Sequence, residues 1–190
     1  MNFNIIFKTR IDIRDELGLK NKIAFVYCGS YRTYQLIDKT LELYLSINKK
    51  IPNTKLFIFT NNQDEIKREI ELINLPIENY RLMSLERTEV DTYLNAMDFS
   101  LLLRDNSILN IVSSPTKFPE YLINGLPVIT TDYVGDYSKQ VRKHKLGYVL
   151  SDYLCDNNLI DFIINTNSNK RIVSQKCKNF ANFIAKLSDI

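Results

Sequence analysis

The chain has little of the residues that usually carry metal chemistry or loop flexibility. Its 190 residues include one histidine, three cysteines, five glycines and five prolines. The single His144 cannot build a His/Cys zinc site with Cys28, Cys155 and Cys177, which lie far apart and form no Cys-x-x-Cys pair. An odd, scattered set of cysteines reads as reduced thiols and predicts a cytoplasmic protein. With so few glycines and prolines, each should hold a defined turn or cap. No apolar run approaches the roughly 18 residues of a membrane span. The opening Met1–Lys8 is too short an apolar run for a secretory signal. Neither Gly-x-Gly-x-x-Gly nor a Walker A sequence occurs, and Asn61 stands where a dinucleotide dehydrogenase would carry an acid.

What is present describes a soluble globular domain. Hydrophobic residues make up 45% and charged residues 25%, which excludes disorder and fibrous repeats as the main description. The length suits one domain with a real core. A net charge of +3 and a pI of about 8.6 fall short of the basic footprint of a nucleic-acid binder.

The apolar period switches repeatedly between strand and helix. Short runs at Ile23–Cys28, Lys55–Thr60, Tyr80–Leu85, Phe99–Leu103, Val128–Thr130 and Gly147–Leu150 read as strands. Between them, helices are expected over Thr33–Asn48, around Ile66, Ile70 and Ile73, and through Val90, Tyr93, Leu94 and Met97 behind a Thr88/Asp91 capping box. Further helices are expected up to Asn124, over Tyr137–Lys145, Leu159–Asn165 and Ile172–Leu187. This alternation predicts an α/β, Rossmann-like three-layer fold with a parallel sheet of about six strands. Residues 1–22 read as a lead-in helix or linker and 23–190 as the domain. Ligands of such sheets bind beyond the carboxyl ends of the strands.

One stretch there is rich in possible chemistry, Ser113-Ser114-Pro115-Thr116-Lys117-Phe118-Pro119-Glu120-Tyr121-Leu122. Ser114 can cap a helix, with Pro115 at its first position. Free N–H groups there, with Thr116 and Lys117, would hold a phosphate or diphosphate. Glu120 could accept bonds from paired sugar hydroxyls. Pro119 would delete a hydrogen bond at the fifth helical position, which moves the expected helix start to Pro119. The plainer alternative is a capped helix that buries Phe118, Tyr121 and Leu122, and spacing alone favours it because caps outnumber anion sites. Lys139, Arg142, Lys143, His144 and Lys145 read first as a solvated basic face, with an acidic membrane surface or acceptor as the second meaning. Cys28, in a buried strand, reads as a small core residue.

The run Tyr93-Leu94-Asn95-Ala96-Met97-Asp98-Phe99-Ser100-Leu101-Leu102-Leu103-Arg104, then Ser114–Leu122 and Gly125-Leu126-Pro127-Val128-Ile129, resembles the C-terminal half of a group 1 (family 4) glycosyltransferase. Tyr27-Cys28-Gly29-Ser30 resembles the turn after the first strand of that half. The resemblance covers about Gly18 to Leu150. It implies one half of a GT-B fold, binding a nucleoside diphosphate sugar such as a UDP- or GDP-sugar. It implies hexosyl transfer to a sugar hydroxyl in surface polysaccharide or glycolipid synthesis, with no metal needed. It implies Glu120 at the ribose, Ser114, Thr116 and Lys117 at the diphosphate, Gly29 and Ser30 on the opposite rim, and Met83 and Ser84 bordering the base.

The sequence departs from the family pattern in three places. The first glutamate of the paired motif falls on Val112. The family's usual Arg and Lys after the first glycine fall near Ser30 and Tyr34, leaving Arg32 and Arg104 as substitutes. Arg104, read as an exposed strand-end charge, joins Lys117 as the candidate catalytic pair. No N-terminal acceptor domain precedes the pattern, so a partner or a missing portion is expected. A non-catalytic nucleotide-binding module and a GT-B-like sugar-nucleotide epimerase remain open.

Overall fold

The computed structural model describes residues 8–107, 110 and 115–188. Six parallel strands form one sheet in the order β3-β2-β1-β4-β5-β6. They are β1 (Ile23–Cys28), β2 (Thr54–Phe59), β3 (Tyr80–Met83), β4 (Phe99–Leu102), β5 (Val128–Thr131) and β6 (Gly147–Leu150). The helices are α1 (Arg10–Glu16), α2 (Ile37–Lys50), α3 (Gln63–Leu72), α4 (Arg87–Leu94), α5 (Lys117–Ile123), α6 (Tyr137–His144), α7 (Asn157–Ser168) and α8 (Lys170–Ser188). The order reverses beside β1, so the crevice between β1 and β4 is the switch point where such sheets take ligands.

The inner strands β1, β2, β4 and β5 are buried on both faces, which is why they read as continuous apolar runs, while β3 and β6 at the edges are half-buried. Along β1 and β2, Ala24, Val26, Phe57 and Phe59 face one cluster, which α1, α4, α5, α6 and α8 complete. The alternate residues Phe25, Tyr27, Leu56 and Ile58 face a second cluster with α2, α3 and α7. Register is fixed residue by residue from Ile23 opposite Thr54 to Cys28 opposite Phe59. A one-residue slip would turn both apolar sets around.

Several local expectations shift. The predicted helix from Thr33 is a 3-10 turn, Thr33–Gln35, broken from α2 by Leu36 at φ 48°. The capping box of α4 is made by Glu86 and Glu89 rather than Thr88 and Asp91, because the helix begins at Arg87. α5 begins at Lys117, not Pro119. Pro119 therefore sits in the first turn, where its missing N–H is not needed. Gly125, just past the last residue of α5 and Asn124, turns the chain out of the helix at φ +75°, a left-handed conformation that glycine holds without strain.

The helices α1 and α8 are fastened to one carboxylate. Asp98 accepts from Arg10 at 2.7 Å, Arg14 at 3.0 Å and Lys170 at 3.0 Å, and from the Ala24 N–H at 2.9 Å. Burial opposes its charge, but Arg14, the Ala24 N–H, Lys170 and Arg10 together hold the carboxyl below its ordinary range.

Candidate functional site

At the carboxyl edge of the sheet, the ends of β1 and β2 and the start of α5 enclose a cleft of about 200 Å³. Cys28, Gly29, Ser30, Asn61, Asn62 and Lys117 line it. The β1 end is shaped by a tight turn. The Gly29 N–H donates to Phe59 O at 3.1 Å, and a Cβ at Gly29 would stand 2.5 Å from Gln35 Oε1 and 2.9 Å from Tyr27 Oη. Tyr27 Oη in turn lies 2.9 Å from Ser30 O and 2.6 Å from Gln35 Oε1, pinning the turn from beneath. The asparagines after β2 organise the other rim. Asn62 Oδ1 accepts from the Tyr31 N–H at 3.0 Å, and Ser84 Oγ donates to Asn61 Oδ1 at 2.8 Å.

α5 brings the charge. Its buried face, Phe118, Tyr121 and Leu122, seats the helix in the core. The opposite positions, Lys117 and Glu120, form an ion pair at 2.5 Å and stay partly open, at 27% and 31% side-chain exposure. Burial works against the Lys117 ammonium, but Glu120 and the nearby Cys28 thiol more than offset it, so its proton is held more tightly than usual. Burial pushes the Cys28 thiol up against the opposing pull of Lys117, which makes it a poor nucleophile. Tyr121 fastens the helix to the strand, its buried hydroxyl accepting from the Cys28 N–H at 2.9 Å. Burial keeps that phenol protonated.

Arg104, just past β4, is not a solvated charge. It is 8% exposed, donates to Leu103 O at 2.8 Å and lies 5.8 Å from the centre of the Tyr34 ring. It forms no ion pair among the described residues. Desolvation lowers its pKa, and Tyr27, Tyr121, Tyr34 and Asp105 partly offset this. A buried cation with aromatic neighbours, Asp105 nearby and no ion pair among the described residues leaves positive charge that an anion can offset.

Gly29, Ser30, Lys117 and Glu120 are thus brought together, Glu120 through its pair with Lys117. Ser84 reaches the rim through Asn61, and half-buried Met83 ends β3 beside it, its carbonyl accepting from Thr60 N–H at 2.9 Å. Thr116 is exposed just before α5 and caps nothing with its side chain. Arg32 is exposed and does not line the cleft. Ser114 and Val112 lie outside the described residues. Asn61, Asn62 and Tyr121 were not singled out from sequence as site residues. The hint for the asparagines was their place directly after a buried strand. Tyr121 looked like core, and only its hydroxyl tells otherwise. Among the described residues no three His, Cys, Asp or Glu side chains converge as a metal site. None of the described helices is long and apolar enough to cross a membrane.

A parallel sheet ordered 3-2-1-4-5-6, with a charged cleft at the carboxyl ends of β1 and β2, is a Rossmann-like domain whose fold matches those of GT-B glycosyltransferases. The chain belongs to the group 1 glycosyl transferases, whose family model matches residues 9–183. Among solved structures it is similar to WaaG, a glycosyltransferase involved in lipopolysaccharide biosynthesis, with a TM-score of 0.71 and 18% identity over 91% of this chain and 46% of that one. The C-terminal domain of the group 1 protein LpcC from Francisella tularensis matches with a TM-score of 0.69 and 12% identity, covering 93% of this chain and 92% of that one. TarM of S. aureus, crystallised with UDP, matches with a TM-score of 0.63 and 19% identity over 85% of this chain and 31% of that one. The chain therefore spans about half of WaaG and a third of TarM. No curated protein sequence matches it.

Proposed function

We propose that this chain is the donor-binding half of a glycosyltransferase that moves a hexose from a nucleoside diphosphate sugar to a sugar hydroxyl. The observation that carries the reading is Lys117, paired with Glu120 and facing the Gly29–Ser30 turn across one cleft. With seven residues, α5 supplies little dipole of its own, so the positive charge at the cleft is mainly that of Lys117. In the reaction the bond from the sugar's anomeric carbon to the diphosphate breaks and a bond to the acceptor oxygen forms. The acceptor proton leaves, and negative charge builds on the diphosphate. Lys117 and Arg104 would stabilise that charge, most strongly where water is excluded. Glu120 would accept from ribose hydroxyls, Thr116 and the segment at Ser114 would close over the phosphates, and Met83 and Ser84 would border the base.

UDP bound to TarM makes UDP the first nucleotide to try. A second, acceptor-binding domain, in the same polypeptide or on a partner, would complete the cleft. A role in surface polysaccharide or glycolipid assembly, at the cytoplasmic face of a membrane, fits the lipopolysaccharide role of WaaG. The exposed basic residues Lys143 and Lys145 would face the acidic lipid.

Calorimetric titration with UDP and GDP tests the site. One of them should bind in the micromolar to millimolar range, and Glu120→Ala should weaken it by about 1–3 kcal/mol. Binding indifferent to Glu120→Ala would remove the ribose assignment, and binding of neither nucleotide would overturn the donor-half reading.

A further inference from the structure

A second, better enclosed cavity lies at the opposite, amino edge of the sheet, with a volume of about 280 Å³. Its floor is apolar, made by half-buried Val173 over the buried Met97, Phe99 and Pro127. Its wall is the first half of α8, where Lys170, Ser174 and Lys178 recur every four residues on one face. Gly125 lets α8 come close. A Cβ there would stand 2.0 Å from Ser174 Oγ and 2.8 Å from Lys178 Cε, so the lysine stem crosses directly over the turn between α5 and β5.

The charge of this cavity is unbalanced. Arg10, Lys170, Arg171 and Lys178 line it against a single carboxylate, Asp98. That carboxylate is already saturated by Arg10, Arg14, Lys170 and the Ala24 N–H. Arg171 and half-buried Lys178 form no ion pair among the described residues. The first turn of α8 holds no acidic residue, so at the positive end of this long helix Lys170 has only the shared Asp98 and Arg171 has no ion pair among the described residues. Cations concentrated in a concave, partly apolar site focus the field on an incoming anion.

We propose that this cavity binds a small organophosphate, its phosphate held between Arg171 and Lys178 and its apolar group on the Val173 side of the floor. Guanidinium and ammonium donors favour phosphate oxygens through charge-assisted hydrogen bonds. The cavity volume sits at the small end of ligand pockets, which suits a single ring or short chain rather than a dinucleotide. The site lies at the other edge of the sheet from Lys117 and does not depend on the donor assignment.

Phenyl phosphate is the probe, titrated calorimetrically into the full chain beside inorganic phosphate. Phenyl phosphate should saturate one site and bind at least about tenfold more tightly than inorganic phosphate. R171E/K178E should weaken it at least about tenfold, and K178Q alone about fivefold. K143E/K145E makes the same charge change elsewhere and should leave binding unaltered, as should K117A. Equal affinity for the two phosphates would remove the apolar floor from the site. Equal loss in K143E/K145E would reduce the effect to net charge. Loss in K117A would move the ligand to the donor cleft, and absence of saturation would overturn the proposal outright. Should R171E/K178E fail to fold, K178Q decides, since it only removes a charge at a partly open position.

Discussion

Two buried charges behave in opposite ways, and each makes a prediction. Arg104 is a buried cation that forms no ion pair among the described residues, with Asp105 acting on it only from a distance, so it is held at a cost in desolvation that packing alone would not require. Arg104→Met should leave the urea midpoint unchanged or raise it, while weakening UDP at least about tenfold. A clear fall in stability with donor binding intact would make Arg104 a structural residue. Asp98 is the reverse case, a carboxylate with three cations. Its folded pKa lies below its unfolded value, so its contribution is present above the unfolded pKa and is lost as the pH falls through the folded one. Asp98→Asn should therefore lose about 3 kcal/mol at neutral pH, the low end for a broken buried pair because Arg10 and Lys170 stay partly solvated. That deficit should shrink in urea titrations below about pH 4. Lys117 and Glu120 were legible in the sequence because they stand in a dense motif. Asp98 was not, since its partners lie 72 to 88 residues away and meet only once the sheet is assembled.

At the scale of elements, strands were easier to read than helix ends. β1 begins and ends where its apolar run does, because burial on both faces leaves no ambiguity, and half-buried β6 keeps the bounds its short apolar run sets. Helix starts depend on one or two hydrogen bonds and moved accordingly. Glu86 is an unusual N-cap, yet its box with Glu89 closes at 2.9 Å and displaces the Thr88 reading. Pro119 points to a helix start at its own position, but in the first turn of a helix that begins at Lys117 it breaks nothing. Two glycines separate what an element tolerates. At Gly147 a Cβ would fall 1.9 Å from the Val128 carbonyl oxygen, which is backbone and cannot step aside. Gly147→Ala should lower stability by at least about 2 kcal/mol by parting β5 from β6. Gly125→Ala meets only the Ser174 and Lys178 side chains but must hold φ +75°, so about 1 kcal/mol is expected. Thermal or urea unfolding of the pair checks the order, and an equal loss would contradict it.

For the whole molecule, the parallel three-layer arrangement followed from the alternation of strand and helix patterns and from right-handed crossovers. The cavity at the amino edge was not legible, because α1, the α5–β5 turn and α8 come from distant parts of the chain. The Asp98 clamp has the same origin and carries a consequence in time. Contacts of such large sequence separation form only after the segments between them are ordered. Arg14 and Lys170 should therefore be absent partners in the folding transition state. Substituting either with methionine should steepen escape from the native state rather than slow entry into it, with the loss falling on the unfolding limb of a denaturant chevron. The single carboxylate at the start of β4 is then less a step in assembly than a latch that sets how long the finished domain lasts.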